Sequence, residues 1–220
     1  MRMKTFCVIG LGSFGVTIAK KLSKLGNEVV VLDEDQKRID AIADDVAMAM
    51  EGDVMSEQFL KSAGIADCDC AIICLSGRIN DTILLVMMAK EIGIPFVVAR
   101  ANSEIDCRVL KKVGADEVIF PVRVMGERLA YSMERSDVLE HLRFSDEYSI
   151  VEKTVPKSWI GKTLIEVNVR RNYGVNIIAI CNADHSKINI SPEPDRKFQE
   201  EDMITMIGSD KSIDKISQDG

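Results

Sequence analysis

Thr5-Phe6-Cys7-Val8-Ile9-Gly10-Leu11-Gly12-Ser13-Phe14-Gly15 is the stretch that decides the fold. Its first five residues form a short, nearly unbroken apolar run, as expected of a strand buried on both faces of a parallel sheet. The glycines then fall in the order G-x-G-x-x-G. Gly10 permits a tight turn, Gly12 lets a pyrophosphate approach the backbone, and Gly15 lets a helix pack closely on the strand. Val16, Ala19, Leu22 and Leu25 follow at helical spacing, and Gly26-Asn27 stops that helix. A strand, a glycine loop and a helix in succession predict the first unit of a nucleotide-binding fold.

Outward from this unit the alternation repeats. Strands are expected at residues 28–32, 47–51, 70–75, 96–100 and 117–120, and helices at 35–44, 56–63, 80–92 and 103–113. Such alternation means a doubly wound parallel sheet of the Rossmann type, class α/β. Pro121 ends the pattern. Residues 122–134 read as an amphipathic helix with Val122, Met125, Leu129 and Met133 on one face, packed either on its own sheet or on a second subunit. Beyond Glu147 come short strand candidates at 148–155, 175–181, 187–190 and 203–207, with turn signals between them and a helical piece at 163–168. This is a small α+β subdomain, near the minimum size for independent stability.

The bulk properties narrow the function. The chain has 220 residues, 46% hydrophobic and 29% charged, with a formal net charge of −7. A nucleic-acid partner calls for a basic face, and here Lys and Arg are scattered, so none is expected. No run reaches the roughly 18 apolar residues of a membrane span, and the N-terminus lacks the features of a signal peptide. The expectation is a soluble cytoplasmic protein. Four of the six cysteines lie in apolar runs, which suits reduced thiols in a reducing compartment. Cys68-Asp69-Cys70 resembles half of a metal site, but no second pair at suitable spacing completes it, and no metal site is expected.

Asp33 ends the second strand, eighteen residues after Gly15, close to the spacing at which an acidic residue receives the ribose hydroxyls. With Glu34 and Asp35 next to it and no Arg standing beside Asp33 to accept it, a 2′-phosphate would be repelled, which disfavours NADP. Gly52-Asp53-Val54 follows the third strand, at the adenine edge of such pockets. Asp53 either accepts from adenine or ribose or is a solvated turn residue. Leu75-Ser76-Gly77 ends the fourth strand on the crevice side. Arg100 ends the fifth, and would reach a terminal phosphate or pair with a carboxylate. The usual proton donors of nicotinamide enzymes are missing: His141 and His185 lie outside the nucleotide half, and no Tyr precedes a Lys by four residues. The pocket reads as a sensor rather than a catalyst. A small NAD-dependent oxidoreductase and a scaffold with a permanently filled pocket are the competing readings.

Several collinear segments carry a family resemblance: residues 8–15, Asp33, Gly52-Asp53, Val98-Ala99-Arg100-Ala101-Asn102 and Val113-Gly114-Ala115-Asp116. Together they strongly resemble the RCK domain (regulator of conductance of potassium). Tyr148-Ser149-Ile150-Val151-Glu152, Asn168-Val169-Arg170, Tyr173-Gly174 and Met206-Ile207-Gly208 look like its C-terminal subdomain. The likeness covers nearly the whole chain and is nearest to the cytosolic Ktr/Trk potassium-uptake subunits. It implies an RCK N-terminal (TrkA-N) nucleotide-binding domain at 1–121, a crossover helix at 122–136 and a C-terminal (TrkA-C) subdomain at 137–220. It also implies homodimers that pair through the crossover helix, an octameric ring beneath a membrane potassium-translocating subunit, and gating by ATP, ADP or NAD(H). Such a protein is peripheral on the inner face of the membrane. The nucleotide-site residues carried over are Gly10, Gly12, Ser13, Phe14, Gly15, Asp33, Glu34, Gly52, Asp53, Val54, Leu75, Ser76, Gly77 and Arg100.

Two positions depart from the Ktr pattern. Ser13 stands where an Arg often reaches the phosphates, and Val122 where a Glu often holds a divalent ion. Serine adds no charge, and valine cannot ligate a metal. In the tail, Leu164, Ile165, Asn168, Arg170, Asn176, Ile177 and Pro192 line up with a cyclic-di-AMP motif, with Asn168 in place of its Asp. The same residues also read as ordinary core and dimer contacts.

Overall fold

Every residue of the first strand is an apolar or small side chain flanked by others like it, and the chain buries them on both sides. In a computed structural model, which describes residues 3–134, 138–143, 145, 147–182 and 184–218, Cys7, Val8 and Ile9 of β1 (Thr5–Ile9) are fully buried. Cys7 and Ile9 face one hydrophobic cluster and Val8 the other, so β1 lies between two apolar layers. It is the centre of a six-stranded parallel sheet with β2 (Glu28–Asp33), β3 (Met48–Glu51), β4 (Cys70–Ile73), β5 (Phe96–Arg100) and β6 (Glu117–Ile119), in the order β3-β2-β1-β4-β5-β6. The order reverses between β1 and β4, and ligands of such sheets bind outside the strands' carboxyl ends at that point.

The helices between the strands are α1 (Ser13–Lys24), α2 (Gln36–Asp40), α3 (Glu57–Ser62), α4 (Ile79–Ile92) and α5 (Glu104–Val113). Their caps are written in the sequence. Asp35, Ser56 and Ser103 each accept a backbone N–H at a helix start, and Gly93 and Gly114 take the left-handed conformation after α4 and α5. The expected helix at 35–44 is shorter. It stops at Asp40, and a 3-10 turn follows over Ala43–Asp45. Strand β4 also ends earlier than expected, at Ile73, so Cys74 and Leu75 belong to the loop that enters the crevice.

The chain divides into two compact units, residues 1–123 and 124–220. Pro121 opens α6 (Pro121–Glu134), a position that suits a residue with fixed φ and no N–H. The second unit carries β7 (Val138–Arg143), β8 (Tyr148–Thr154), α7 (Leu164–Val167), α8 (Val169–Tyr173), β9 (Asn176–Asn182), β10 (Ile188–Ile190), β11 (Asp202–Ser209) and α9 (Asp210–Gln218). Its five-stranded antiparallel sheet runs β10-β9-β11-β8-β7. One face buries Val151, Ile180, Ile204 and Met206 with Trp159, Phe198, Ile213 and Ile216. Strand β7 and helices α8 and α9 were not expected from the sequence.

Candidate functional site

The loop after β1 is shaped by its glycines. Gly10 has φ +96°, a conformation that side chains rarely adopt, and its N–H donates to Leu32 O at 2.8 Å. A Cβ on Gly15 would lie 2.0 Å from the Gly10 carbonyl oxygen, so only glycine lets α1 start this close to the strand. Gly12 differs: a Cβ there would meet nothing within 4 Å. Its backbone borders the crevice itself. Gly12 is also the N-cap of α1, with no side-chain cap and no acidic residue in the first turn. The positive end of a twelve-residue helix thus borders the crevice without a capping side chain, an arrangement that can receive an anion.

Asp33 holds the opposite wall. Its carboxylate is 5% exposed, with Oδ2 accepting the Leu11 N–H and Oδ1 accepting the Asp35 N–H at 2.9 Å. A carboxylate has about four lone-pair positions, so it can still receive ribose hydroxyls. Arg38, five residues on in α2, brings Nη1 within 3.5 Å of Asp33 Oδ2. This corrects the expectation that no Arg stands beside Asp33: α2 folds the side chain back over the carboxylate. Two cations of the crevice, Arg38 and Arg78, thus offset much of the negative charge of Asp33, Glu34 and Asp35.

Between these walls lies an open cavity of about 410 Å³, lined by residues of the β1, β2 and β4 ends: Gly10, Gly12, Asp33, Glu34, Asp35, Arg38, Val54, Cys74, Leu75, Ser76 and Arg78. Seven of the expected residues line it: Gly10, Gly12, Asp33, Glu34, Val54, Leu75 and Ser76. Arg38, Cys74 and Arg78 were not expected there, and Asp35 was expected only as a negative charge beside Asp33. Arg38 and Asp35 come from α2 and its cap, and Cys74 and Arg78 from the loop after β4. Arg78 Nη1 donates to Glu34 Oε2 at 3.0 Å and Nε donates to Asp81, and these bonds hold its guanidinium firmly charged. A basic residue directly after Ser76-Gly77 was the available signal. Burial pushes the Cys74 thiol up to about 12, so it remains protonated and is no nucleophile at neutral pH.

The other expected residues are not among those that line this cavity. Gly52 is needed by Phe59, whose ring would sit 2.5 Å from a Cβ. Asp53 Oδ1 accepts the Met55 N–H at 2.8 Å, the bond of a turn residue. Ser13 is exposed, and Gly77 has φ +72°. Arg100 stacks its guanidinium 5.6 Å from the Phe14 ring centroid, with Nε buried and unbonded.

In the second unit, Leu164 and Ile177 pack on the core, whereas Ile165, Arg170 and Asn176 are exposed and Pro192 is half-buried. Asn168 joins α7 to α8 at φ +46°, ψ +52°. Asn tolerates this left-handed conformation well, which gives it a backbone role. The cavities described there, one against Trp159 and one beside Cys181, are lined by other residues.

No helix among the described residues is long and apolar enough to cross a membrane. Residues 6–121 match the model of the TrkA-N domain, and residues 149–218 that of the TrkA-C domain. The chain is 34% identical over 220 residues to Ktr system potassium uptake protein A of Bacillus subtilis (strain 168), covering 100% of this chain and 98% of that one. Among solved structures, the GsuK channel bound to NAD superposes with a TM-score of 0.55 at 24% identity, over 100% of this chain and 39% of that one. GsuK bound to ADP gives 0.53 at 24% identity, over 60% of this chain and 34% of that one. The chain thus spans well under half the length of those channels, and the likeness to them is one of fold. With a TrkA-N match over more than half of its length and a TrkA-C match behind it, the chain belongs to the TrkA-N/TrkA-C family that includes the Ktr potassium uptake proteins.

Proposed function

We propose that the chain is a nucleotide-binding regulatory subunit that gates a membrane potassium transporter, and is not itself an enzyme. The observation that carries the reading is the crevice, where an uncapped helix end and an open Gly12 face a buried Asp33. In this reading the pyrophosphate of ADP, ATP or NAD(H) lies on the first turn of α1 and the adenosine ribose on Asp33. The potassium partner is supported by the Ktr relatives, and the ligand class by GsuK, a channel solved with NAD and with ADP. A nucleotide can shift the protein only by binding one conformation better than another.

Residues 1–121 form the nucleotide domain in this reading, 122–136 the crossover helix and 137–220 the C-terminal subdomain. Val122, Met125, Leu129 and Met133 of α6 are all exposed in the single chain, as a face meant for a second copy would be. Dimers closing into an octameric ring on the cytoplasmic side of the transporter complete the assembly. Cyclic-di-AMP fits the C-terminal set only where two copies meet, because Ile165 and Arg170 stand on the open surface of one chain.

Native mass spectrometry of the purified protein, followed by deletion of its gene and growth on low potassium, tests the reading. The expected outcome is an oligomer carrying an adenine nucleotide, with loss of potassium uptake in the deletion strain. An oligomer without nucleotide affinity, or unchanged uptake, overturns it.

A further inference from the structure

Far from the nucleotide crevice in sequence, three side chains of different chemistry converge on one point of the second unit. Cys181 lies near the end of β9, Glu152 stands in β8, and His185 lies in the turn between β9 and β10. The pairing register puts Thr205 opposite both Glu152 and Ala179, and Met203 opposite Cys181, so Glu152 and Cys181 share a sheet face across β11. Glu152 Oε1 lies 3.2 Å from Cys181 Sγ, and His185 Nε2 lies 3.1 Å from each Glu152 oxygen. One donor atom from each residue falls within 4.8 Å of the other two.

We propose that Glu152, Cys181 and His185 form a binding site for a borderline-soft divalent cation, Zn²⁺ in the first instance. A tetrahedral zinc with Zn–S near 2.3 Å and Zn–N and Zn–O near 2.0–2.2 Å separates its donors by about 3.3–3.6 Å. The Glu152–Cys181 and Glu152–His185 spacings expand to that by a few tenths of an ångström, and Cys181 Sγ and His185 Nε2 lie within 4.8 Å of each other, within reach of side-chain rotation. Thiolate, imidazole and carboxylate together select zinc over the hard cations magnesium and calcium. Three protein ligands leave a fourth position for water.

The turn that carries His185 is already built. His185 N–H donates to Asn182 O at 3.0 Å, Lys187 N–H to Asn182 Oδ1 at 2.9 Å, Ser186 N–H to Asp184 Oδ1 at 2.9 Å, and Asn182 Nδ2 to Ser186 Oγ at 2.8 Å. These bonds hold His185 at φ +56°, a conformation uncommon for side chains, and aim Nε2 at the carboxylate. Cys181 is buried and His185 exposed, so an ion enters from the histidine side. Binding displaces one proton from the Cys181 thiol to solvent, and the metal supplies the charge that stabilises the thiolate. The loaded site would tie the β9–β10 turn to β8.

The sequence conceals the site because its ligands are spread over residues 152, 181 and 185 and meet only through the sheet.

Cobalt(II) titration of the chelator-stripped full chain tests the proposal. The expected result is one equivalent bound per chain with a thiolate-to-cobalt charge-transfer band, which zinc then bleaches. Cys181→Ser should abolish the band, and His185→Ala and Glu152→Gln should each weaken binding at least tenfold. Cys107→Ser should leave the band unchanged. Should Cys181→Ser fail to fold, the exposed His185→Ala variant, checked by circular dichroism, decides alone. Absence of the band in the unaltered protein, or a band and affinity that survive His185→Ala, overturns the proposal.

Discussion

At the scale of single residues, the three glycines of the first loop look alike in sequence and do different work. Gly15→Ala drives a methyl group into the Gly10 carbonyl, and should cost about 3 kcal/mol through overpacking at the strand–helix junction. Gly12→Ala meets open space at an ordinary φ of −66°, and should cost less than about 1 kcal/mol in a urea melt. Equal losses for the two would contradict this division of roles. Asp33 likewise does two jobs. Asp33→Ala strands the N–H of buried Leu11 and should destabilise the protein by about 1–3 kcal/mol before any nucleotide is added. Its effect on affinity must then be read at a temperature where calorimetry shows the variant still folded. The glycine pattern and Asp33 were legible because each answers a local demand. Arg38 and Arg78 were not, because only the fold of α2 and of the loop after β4 brings them to the crevice.

At the scale of elements, the parallel sheet was legible because its strands are nearly pure apolar runs between clear caps and glycine stops. Strand β7 and helices α8 and α9 of the second unit were not. Strand β7 mixes polar and apolar residues, pairs on one side only and shifts register between Val138 and Glu140. Helix α9 buries only Ile213 and Ile216 of its described side chains, too sparse a stripe to stand out from its polar surroundings. One staple between elements yields a pH prediction. Burial opposes ionisation of Asp116, but the Lys90 ammonium and the Val97 N–H, 2.6 Å away, outweigh it and hold the carboxyl below its ordinary range. A depressed carboxylate contributes its stability above the unfolded pKa and loses it as the pH falls through the folded one. Asp116→Asn should therefore cost about 1–2 kcal/mol at neutral pH, after allowance for the pair's partial exposure. The difference from the unaltered protein should vanish in strong acid. Denaturant melts across a pH series measure it, and a difference that grows toward acid would refute the sign.

At the scale of the whole molecule, the proposed pairing rests on the exposed apolar face of α6. Met125 and Leu129 are 58% and 59% exposed. Pairing would recover about 25 cal/mol for each Å² of apolar surface they and their neighbours bury. Met125→Glu with Leu129→Glu should break a dimer, since buried unpaired carboxylates carry a desolvation cost of several kcal/mol each. Light scattering after gel filtration should show the variant at lower mass and the unaltered protein as an oligomer. A monomeric unaltered protein at micromolar concentration would remove the crossover-helix account.

The central claim, that a nucleotide lies between the α1 N-terminus and Asp33, is tested most directly by titration calorimetry of the nucleotide-stripped protein with ADP and with NADH. Binding is predicted at one site per chain, weakened at least tenfold by Gly12→Ala with the melting curve preserved. Failure to bind either ligand, or undiminished affinity in a folded Gly12→Ala variant, would contradict it.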